Sequence, residues 1–197
     1  MIPDRFFAIL FVLLGLAAAA PVWSAPVEVS DAWARATLPG QKVAGVYMKL
    51  RSAAGAKLVG VDLSPHMLAL ARRKQLYDVL FEADIEEYLS QIMEEFDLIT
   101  ASGVLIFFGD LNPVLAKIHQ ALKPRGMLIA TLYQSESTDV SIRDNIHFAH
   151  SELHIREAAM NNGLEILELS PVVHEYDKGQ PQAGYLLVLC CTDAYKD

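Results

Sequence analysis

From Lys57 onward, short apolar runs alternate with longer segments whose apolar residues recur three and four positions apart. The short runs predict buried β-strands, and the spaced pattern predicts helices with one apolar face. Strands that alternate with helices of about 10–15 residues are typical of βαβ units, which build a parallel sheet covered by helices on both faces. The predicted strands are residues 58–62, 79–84, 97–101, 127–132, 164–169 and 185–190, and the predicted helices are residues 64–75, 85–95, 112–122 and 151–163. The apolar spacing places these side chains on the packed faces of the second and third helices: Ile85, Tyr88, Leu89, Ile92, Val114, Leu115, Ile118 and Leu122.

Both ends of this pattern depart from a purely parallel sheet. The segment between the last two strands is long enough for an antiparallel return, so we expect a C-terminal antiparallel hairpin. Residues 26–50 predict a short β segment, with a turn signal at Thr37–Gly40 and an apolar run at Val43–Leu50. Only residues 51–56 separate that run from the next strand, too few for a parallel crossover of about a dozen residues. We therefore expect Val43–Leu50 to lie antiparallel beside residues 58–61.

The N-terminal segment has the features of an export signal. Residues 6–27 carry no charged side chain, Arg5 precedes them, and the small residues 17–20 follow their most apolar part. This arrangement is typical of a secretory signal peptide, or of an anchor near the shorter end of the about 17–25 residues that span a bilayer. We assign residues 1–25 to a signal peptide or membrane anchor. It predicts membrane contact and a periplasmic or membrane-anchored protein.

The charge balance and the cysteines narrow the classes of partner. The 197 residues carry a net charge of −8. Binding to a nucleic-acid backbone needs clustered Lys and Arg, so no nucleic-acid partner is expected. The two cysteines are the neighbours Cys190 and Cys191, which predict neither a disulfide framework nor a zinc site with spaced ligands. No metal site is predicted.

The strand ends carry the candidate chemistry. Asp62 ends an apolar strand, and a helix begins directly after it, with Ser64 as N-cap. An acid at the tip of a parallel strand can accept both hydroxyls of a ribose. Asp84 and Ser102 also fall at the carboxyl ends of predicted strands, so the three side chains are expected on one rim of the sheet. In the helix after Asp62, we expect Met67 in the core and His66 at the surface.

Several blocks after Lys57 resemble one enzyme family. They are LVGVDLS at 58–64, FDLI at 96–99, VLIFFGDL at 104–111, ALKPRG at 121–126 and GQP at 179–181. Over about residues 57–192 the chain is similar to class I S-adenosylmethionine-dependent methyltransferases, within the group often fused to tetratricopeptide repeats. The resemblance implies an incomplete Rossmann-like class I methyltransferase sheet, an α/β fold. It assigns Asp62 and Leu63 to the ribose end of S-adenosylmethionine, Asp84 and Ile85 to the adenine, and Ser102 to the methionine part.

Two departures from that family bear on activity. The opening strand and its Gly-x-Gly-x-Gly loop have no counterpart, and Gly103 stands where the group usually has an acid. We therefore expect a methyltransferase-like protein whose binding of S-adenosylmethionine is weakened or lost. Its acceptor is a small molecule or a protein, and no catalytic residue is assigned. His147, His150 and His154 are read either as groups near the substrate or as surface histidines. Activity itself implies a cytoplasmic protein.

Residues 27–61 resemble a second family. VSDAWARAT at 29–37 and GQKVAGVYM at 40–48 are similar to the start of periplasmic copper chaperones, although the segment that carries that family's Met and His ligands is missing. An exported copper chaperone-like binding protein is thus the alternative function, and a non-functional fusion of the two families is a third reading. The resulting domains are the signal or anchor at 1–25, the short β segment at 26–56 and the methyltransferase-like domain at 57–197.

Overall fold

The computed structural model describes residues 28–35, 45–51, 55–143 and 146–192, with backbone alone for the first two ranges. The predicted signal or anchor at 1–25 and the turn at Thr37–Gly40 lie outside these residues. Among the residues that are described, no helix is both long and apolar enough to cross a membrane.

A six-stranded mixed sheet forms the centre of the described structure. Its strands are β5 (Phe96–Ser102), β6 (Leu122–Gln134), β7 (Ser141–Arg143), β8 (His147–His150), β9 (Leu164–Asp177) and β10 (Gln180–Cys191). Strand β6 pairs in parallel with β5 on one side and antiparallel with β10 on the other, and β9 forms the edge beyond β10. Residues 128–133 of β6 are buried, as expected for a central strand.

The C-terminal hairpin confirms the predicted antiparallel return. Lys178 and Gly179 join β9 to β10, with φ angles of 48° and 81°. A two-residue loop with positive φ at both positions matches the right-handed twist of the flanking strands. Strand β9 extends well past residue 169, where the predicted strand stops, and it continues through Pro171 to Asp177.

A second, smaller unit carries the first predicted βαβ motif. Strands β3 (Val59–Asp62) and β4 (Val79–Glu82) pair in parallel, and α1 (Pro65–Lys74) connects them. The Ser64 hydroxyl accepts a hydrogen bond from the Met67 backbone amide at 3.3 Å, so Ser64 caps α1 as predicted. Within the described ranges no strand joins β3 to β5, and the two sheets remain separate.

The N-terminal strands pair with each other, so the predicted position of Val43–Leu50 is wrong. β1 (Glu28–Arg35) and β2 (Gly45–Arg51) form an antiparallel ladder, and β3 pairs with β4 instead. The lengths of the partners explain the difference. The eight residues of β1 offer β2 more backbone hydrogen bonds than the four residues of β3 could.

Three helices cover the main sheet: α2 (Ile85–Leu89), α3 (Asn112–Ala121) and α4 (Glu152–Asn161). Helix α2 ends six residues before its predicted end at 95, and the chain then passes through Glu94, with a positive φ of 46°, into β5. The predicted inward residues are nevertheless correct. Leu89 is buried, and Ile85, Tyr88 and Ile92 pack against the main core. Apolar spacing thus located the packed side even where the helix itself is shorter.

We predict that Gly184→Ala destabilises the protein by about 1–3 kcal/mol, because a Cβ at this position of β10 has no room. It would lie 2.4 Å from the Leu132 carbonyl oxygen and 2.7 Å from the His174 Cβ, and neither backbone strand can give way cheaply. Urea unfolding measures the loss. Ala183→Ser, at the exposed neighbouring position, is the control. A Gly184→Ala protein as stable as the control would contradict this packing.

Candidate functional site

A cleft of about 1060 Å³ opens at the carboxyl ends of the parallel strands, where ligands bind in open α/β sheets. One end is formed by the residues that follow β3 and β4. The other end lies beyond β5 and β6, against the last residues of β9. The five residues predicted to contact a cofactor all line it: Asp62, Leu63, Asp84, Ile85 and Ser102. The structure therefore brings the predicted set together along one wall.

Asp62 stands at the first end of the cleft as the last residue of β3. One of its carboxylate oxygens, Oδ1, accepts the Ser64 backbone amide at 2.7 Å, which fixes the side chain on the turn into α1. Its other oxygen, Oδ2, has no hydrogen-bond partner among the described residues. The side chain is half-buried. A carboxylate that is held by one oxygen and open at the other can accept hydrogen bonds from a ligand diol.

Asp84 faces the same end of the cleft from the turn after β4. It is the N-cap of α2, and its Oδ1 accepts the backbone amides of Glu86 at 2.8 Å and Glu87 at 3.2 Å. Ile85 begins the helix and leaves its side chain half-buried at the cleft wall. The cap fixes Asp84 firmly, so the oxygen that remains, Oδ2, is the group available to a ligand.

Ser102 and Gly103 occupy the middle of the cleft, where β5 ends. The Gly103 backbone amide donates to the Thr131 hydroxyl at 3.2 Å, which ties the turn to the central strand β6. Gly103 has a φ of 66°, and a Cβ there would meet no atom within 4 Å. Glycine is thus favoured here by backbone conformation. The neighbouring space stays open for a ligand.

The far end of the cleft is built around the ring of Tyr133, the penultimate residue of β6. Its hydroxyl forms a short hydrogen bond with the Glu175 carboxylate. The Arg143 guanidinium lies 4.4 Å from the ring centroid, and the His174 and His147 ring centroids lie 4.3 Å and 6.0 Å away. This end therefore combines aromatic rings with groups that donate, accept and carry charge.

Two histidines, His174 at this end of the cleft and His150 outside it, are buried. His150 is fully buried, and its two ring nitrogens have no hydrogen-bond partner. Burial lowers the pKa of His150 to about 4, and the nearby His154 adds to the shift. Burial also lowers the pKa of His174 to about 4, with further contributions from Arg143 and His147. Both side chains are therefore neutral at pH 7.

The histidines proposed from the sequence separate into two groups. His147 lines the cleft, whereas His150 and His154 do not, and they stack on each other with ring centroids 5.2 Å apart. The expectation for Met67 is wrong. It is 42% exposed and lines the cleft, because the α1 turn that carries it faces the open space beside Asp62 and not the core. His66 is exposed, as predicted.

Sequence reasoning missed the rest of the far end: Tyr133, Arg143, His174, Glu175 and Tyr176. Three of them belong to the extension of β9 beyond Pro171, which no apolar alternation marks. A residue that could have signalled the site is Tyr133, an aromatic at the carboxyl end of a predicted parallel strand. The described residues include no group of three or more side chains suited to hold a metal ion.

Comparisons with known proteins agree with this arrangement. Residues 40–130 match the sequence profile of a methyltransferase domain. The malonyl-[acyl-carrier protein] O-methyltransferase of Acetivibrio thermocellus is 28% identical over 140 residues, which is 69% of this chain and 42% of that protein. The demethylmenaquinone methyltransferase of Chlorobaculum parvum is 36% identical over 72 residues, 36% of this chain and 30% of that protein. The chain thus spans less than half the length of these relatives.

Solved structures confirm the fold. The 1,6-didemethyltoxoflavin-N1-methyltransferase of Burkholderia thailandensis, solved with 1,6-didemethyltoxoflavin and S-adenosylhomocysteine bound, superposes with a TM-score of 0.56 at 20% identity. The match covers 71% of this chain and 63% of that one. An S-adenosylmethionine-dependent methyltransferase of Methanosarcina mazei gives 0.56 at 14% identity, covering 71% and 84%. The described domain has the α/β, Rossmann-like class I methyltransferase fold.

Proposed function

We propose that the protein binds S-adenosylmethionine in the cleft and transfers its methyl group to an acceptor held at the far end. The observation that carries the proposal is the meeting of Asp62, Asp84 and Ser102 along one cleft of a class I methyltransferase fold. The Burkholderia neighbour, which binds S-adenosylhomocysteine, supports the choice of cofactor. The names of the curated relatives support the reaction.

In this proposal the residues that line the cleft each contact a different part of the cofactor. Asp62 Oδ2 is the acceptor for the ribose hydroxyls, with Leu63 beside it, because an acid at a strand tip suits a diol. Asp84 and Ile85 hold the adenine through the open carboxylate oxygen and the apolar side chain. Ser102 borders the methionine part. S-adenosylmethionine supplies an electrophilic methyl group, and the protein's contribution is to align it with the acceptor, which can provide much of the rate.

We further propose that cofactor binding is weak. Glycine-rich loops let backbone amides approach a ligand without a Cβ in the way, and the sequence has no such loop before β3. Loss of several hydrogen bonds, at about 1 kcal/mol each, weakens binding about a hundredfold. Isothermal titration of the full chain with S-adenosylmethionine tests both proposals. We expect a dissociation constant on the order of 100 µM. A low-micromolar constant would contradict weak binding, and no heat at millimolar ligand would contradict the function.

The names of the relatives indicate which kinds of methyl acceptor to propose. One relative acts on malonyl-[acyl-carrier protein], whose acceptor is protein-borne, and the other acts on demethylmenaquinone, a small molecule. We propose an acceptor of one of these two kinds.

We also propose one location for each reading of the chain. Residues 6–27 carry no charge, which favours a periplasmic or membrane-anchored protein, whereas the methyltransferase proposed above implies a cytoplasmic one. Cell fractionation separates the two: a cytoplasmic, uncleaved protein supports the methyltransferase, and a periplasmic protein contradicts it.

A further inference from the structure

Arg143 is a positioned cation at the far wall of the cleft. Its guanidinium lies over the Tyr133 ring, and its Nη2 donates a short hydrogen bond to the Gln182 side-chain oxygen. Both partners are neutral, and Arg143 makes no ion pair with any described residue. A guanidinium has five N–H donors in a fixed plane, so most of them remain available to a ligand. The side chain is thus oriented before any ligand arrives.

The surfaces beside Arg143 are flat and apolar. Phe107 is 56% exposed and Ile146 is 63% exposed, although both line the cleft. The His147 ring lies next to the rings of Phe107 and Tyr133, with centroid distances of 5.1 Å and 6.0 Å. Only the Nδ1 atom of His147 is fully buried, so Nε2 is the ring nitrogen that remains accessible. Exposed rings next to a fixed guanidinium suit a planar ligand with one anionic group.

Two acids also line this end, and they must be weighed against an anionic ligand. Glu175 is half-buried and is engaged by the Tyr133 hydroxyl. Asp177 is exposed at the end of β9, where water screens its charge. Arg143 is the charged group that lies directly against the Tyr133 ring, so a ligand that contacts the rings at this end is favoured when it carries a negative charge.

We propose that the far end of the cleft binds a planar aromatic carboxylate, with Arg143 holding the carboxylate and Phe107 and His147 lying against the ring. This site is where the acceptor must lie if the protein is the methyltransferase proposed above, and the inference rests on that function for its role. The binding itself depends only on the residues of the wall. Arg143 is a specificity residue in this scheme, because it selects the charge of the acceptor.

The test uses three probes of one shape and different charge. Benzoate, benzamide and benzylamine are titrated into the full chain by ligand-observed NMR, with and without saturating S-adenosylhomocysteine. We expect benzoate to bind at least about tenfold more tightly than either of the others, as a hydrogen-bonded ion pair provides. Equal binding of benzoate and benzamide, tighter binding of benzylamine, or binding of none of the three would overturn the proposal.

Variants separate charge from shape. Arg143→Gln is expected to remove the preference for benzoate over benzamide, whereas Arg125→Gln, at an exposed position outside the cleft, keeps it. Phe107→Ala is expected to weaken both probes and to retain the preference, which keeps the test informative if Arg143→Gln does not fold. An unchanged preference in a folded Arg143→Gln protein would overturn the assignment.

The same samples distinguish this site from the proposed function. If S-adenosylhomocysteine binds and benzoate does not, the acceptor site is overturned and the cofactor site is retained. If benzoate binds and S-adenosylhomocysteine does not, the aromatic carboxylate site is supported and the methyltransferase proposal is contradicted.

Discussion

Replacing Asp62 with asparagine is expected to weaken the binding of S-adenosylmethionine about 10–100-fold while the protein stays folded. The Asn side-chain oxygen can still accept the Ser64 amide that Asp62 Oδ1 accepts at 2.7 Å, so the turn into α1 is retained. What is lost is the charge on the proposed acceptor of the ribose hydroxyls. Hydrogen bonds to a charged group are worth about 1.5–3 kcal/mol each, which sets the expected range. Titration calorimetry or NMR titration measures the constant.

A matched control lies on the same unit. Asp78 accepts the Leu58 backbone amide at 2.7 Å through Oδ2, but it is exposed and does not line the cleft. Asp78→Asn should therefore leave cofactor affinity unchanged while it makes the same chemical change. Adenosine alone should lose affinity in the Asp62→Asn protein by a similar factor, because the contact is to the ribose. Binding of the cofactor to Asp62→Asn within twofold of the unaltered protein would rule out this role for Asp62.

Acidification is expected to remove about 3 kcal/mol of stability for each of His150 and His174 between pH 6.5 and pH 4. In the folded protein the pKa of each is lowered to about 4, chiefly by burial, whereas an exposed histidine in the unfolded chain has its ordinary value of 6.5. Between these values the unfolded chain takes up a proton and the folded protein does not. Stability is therefore intact above pH 6.5 and falls by about 1.4 kcal/mol per pH unit for each histidine as pH drops.

Urea unfolding at intervals from pH 7 to pH 4 measures this dependence. His150→Gln removes one titrating group and should reduce the slope by about half, whatever its effect on stability at pH 7. His66→Gln alters an exposed histidine and should leave the slope unchanged. Since domains are commonly stable by about 5–15 kcal/mol, the combined loss is enough to unfold many proteins. A His150→Gln slope equal to that of the unaltered protein would show that His150 is not buried as described.

The first end of the cleft could be predicted because its information is local. Asp62 and Asp84 each follow a short apolar strand and precede a capped helix, and these signals are contained within a few residues. Parallel strands in a βαβ pattern then place their carboxyl ends at one rim, so the meeting of the two acids follows from the pattern alone. The apolar spacing of α3 likewise placed Val114, Leu115 and Ile118 in the core.

The far end could not be predicted because it depends on sheet order. The predicted strand stops at residue 169, two residues before Pro171, and proline cannot donate to a central ladder. In the structure β9 is the edge of the main sheet, and Pro171 pairs with Tyr185 on the inner side only. A missing N–H is tolerated at such an edge, and the strand continues to Asp177. Which strand lies at the edge depends on pairing between segments far apart in sequence. The contact of His174 with Tyr133 depends on that pairing, so neither could be predicted from local patterns.

The unit formed by β3, α1 and β4 contributes little to the main core. None of the residues from Leu58 to Glu82 belongs to the main buried cluster of the described part. Several large apolar side chains of this unit are exposed instead: Leu58, Leu63, Met67, Leu70, Leu76, Tyr77 and Phe81. Few buried contacts mean a low free energy of local opening.

Asp62 is attached to this loosely held unit, whereas Arg143 belongs to the main sheet. The complete cleft therefore exists only while the unit is docked, and the apparent affinity for any molecule that reaches both ends is reduced by the fraction of time it is undocked. Such a molecule also clamps the two parts together. If a cofactor and an acceptor share the cleft as proposed above, the binding of one favours the binding of the other, because the first to bind has already docked the unit for the second.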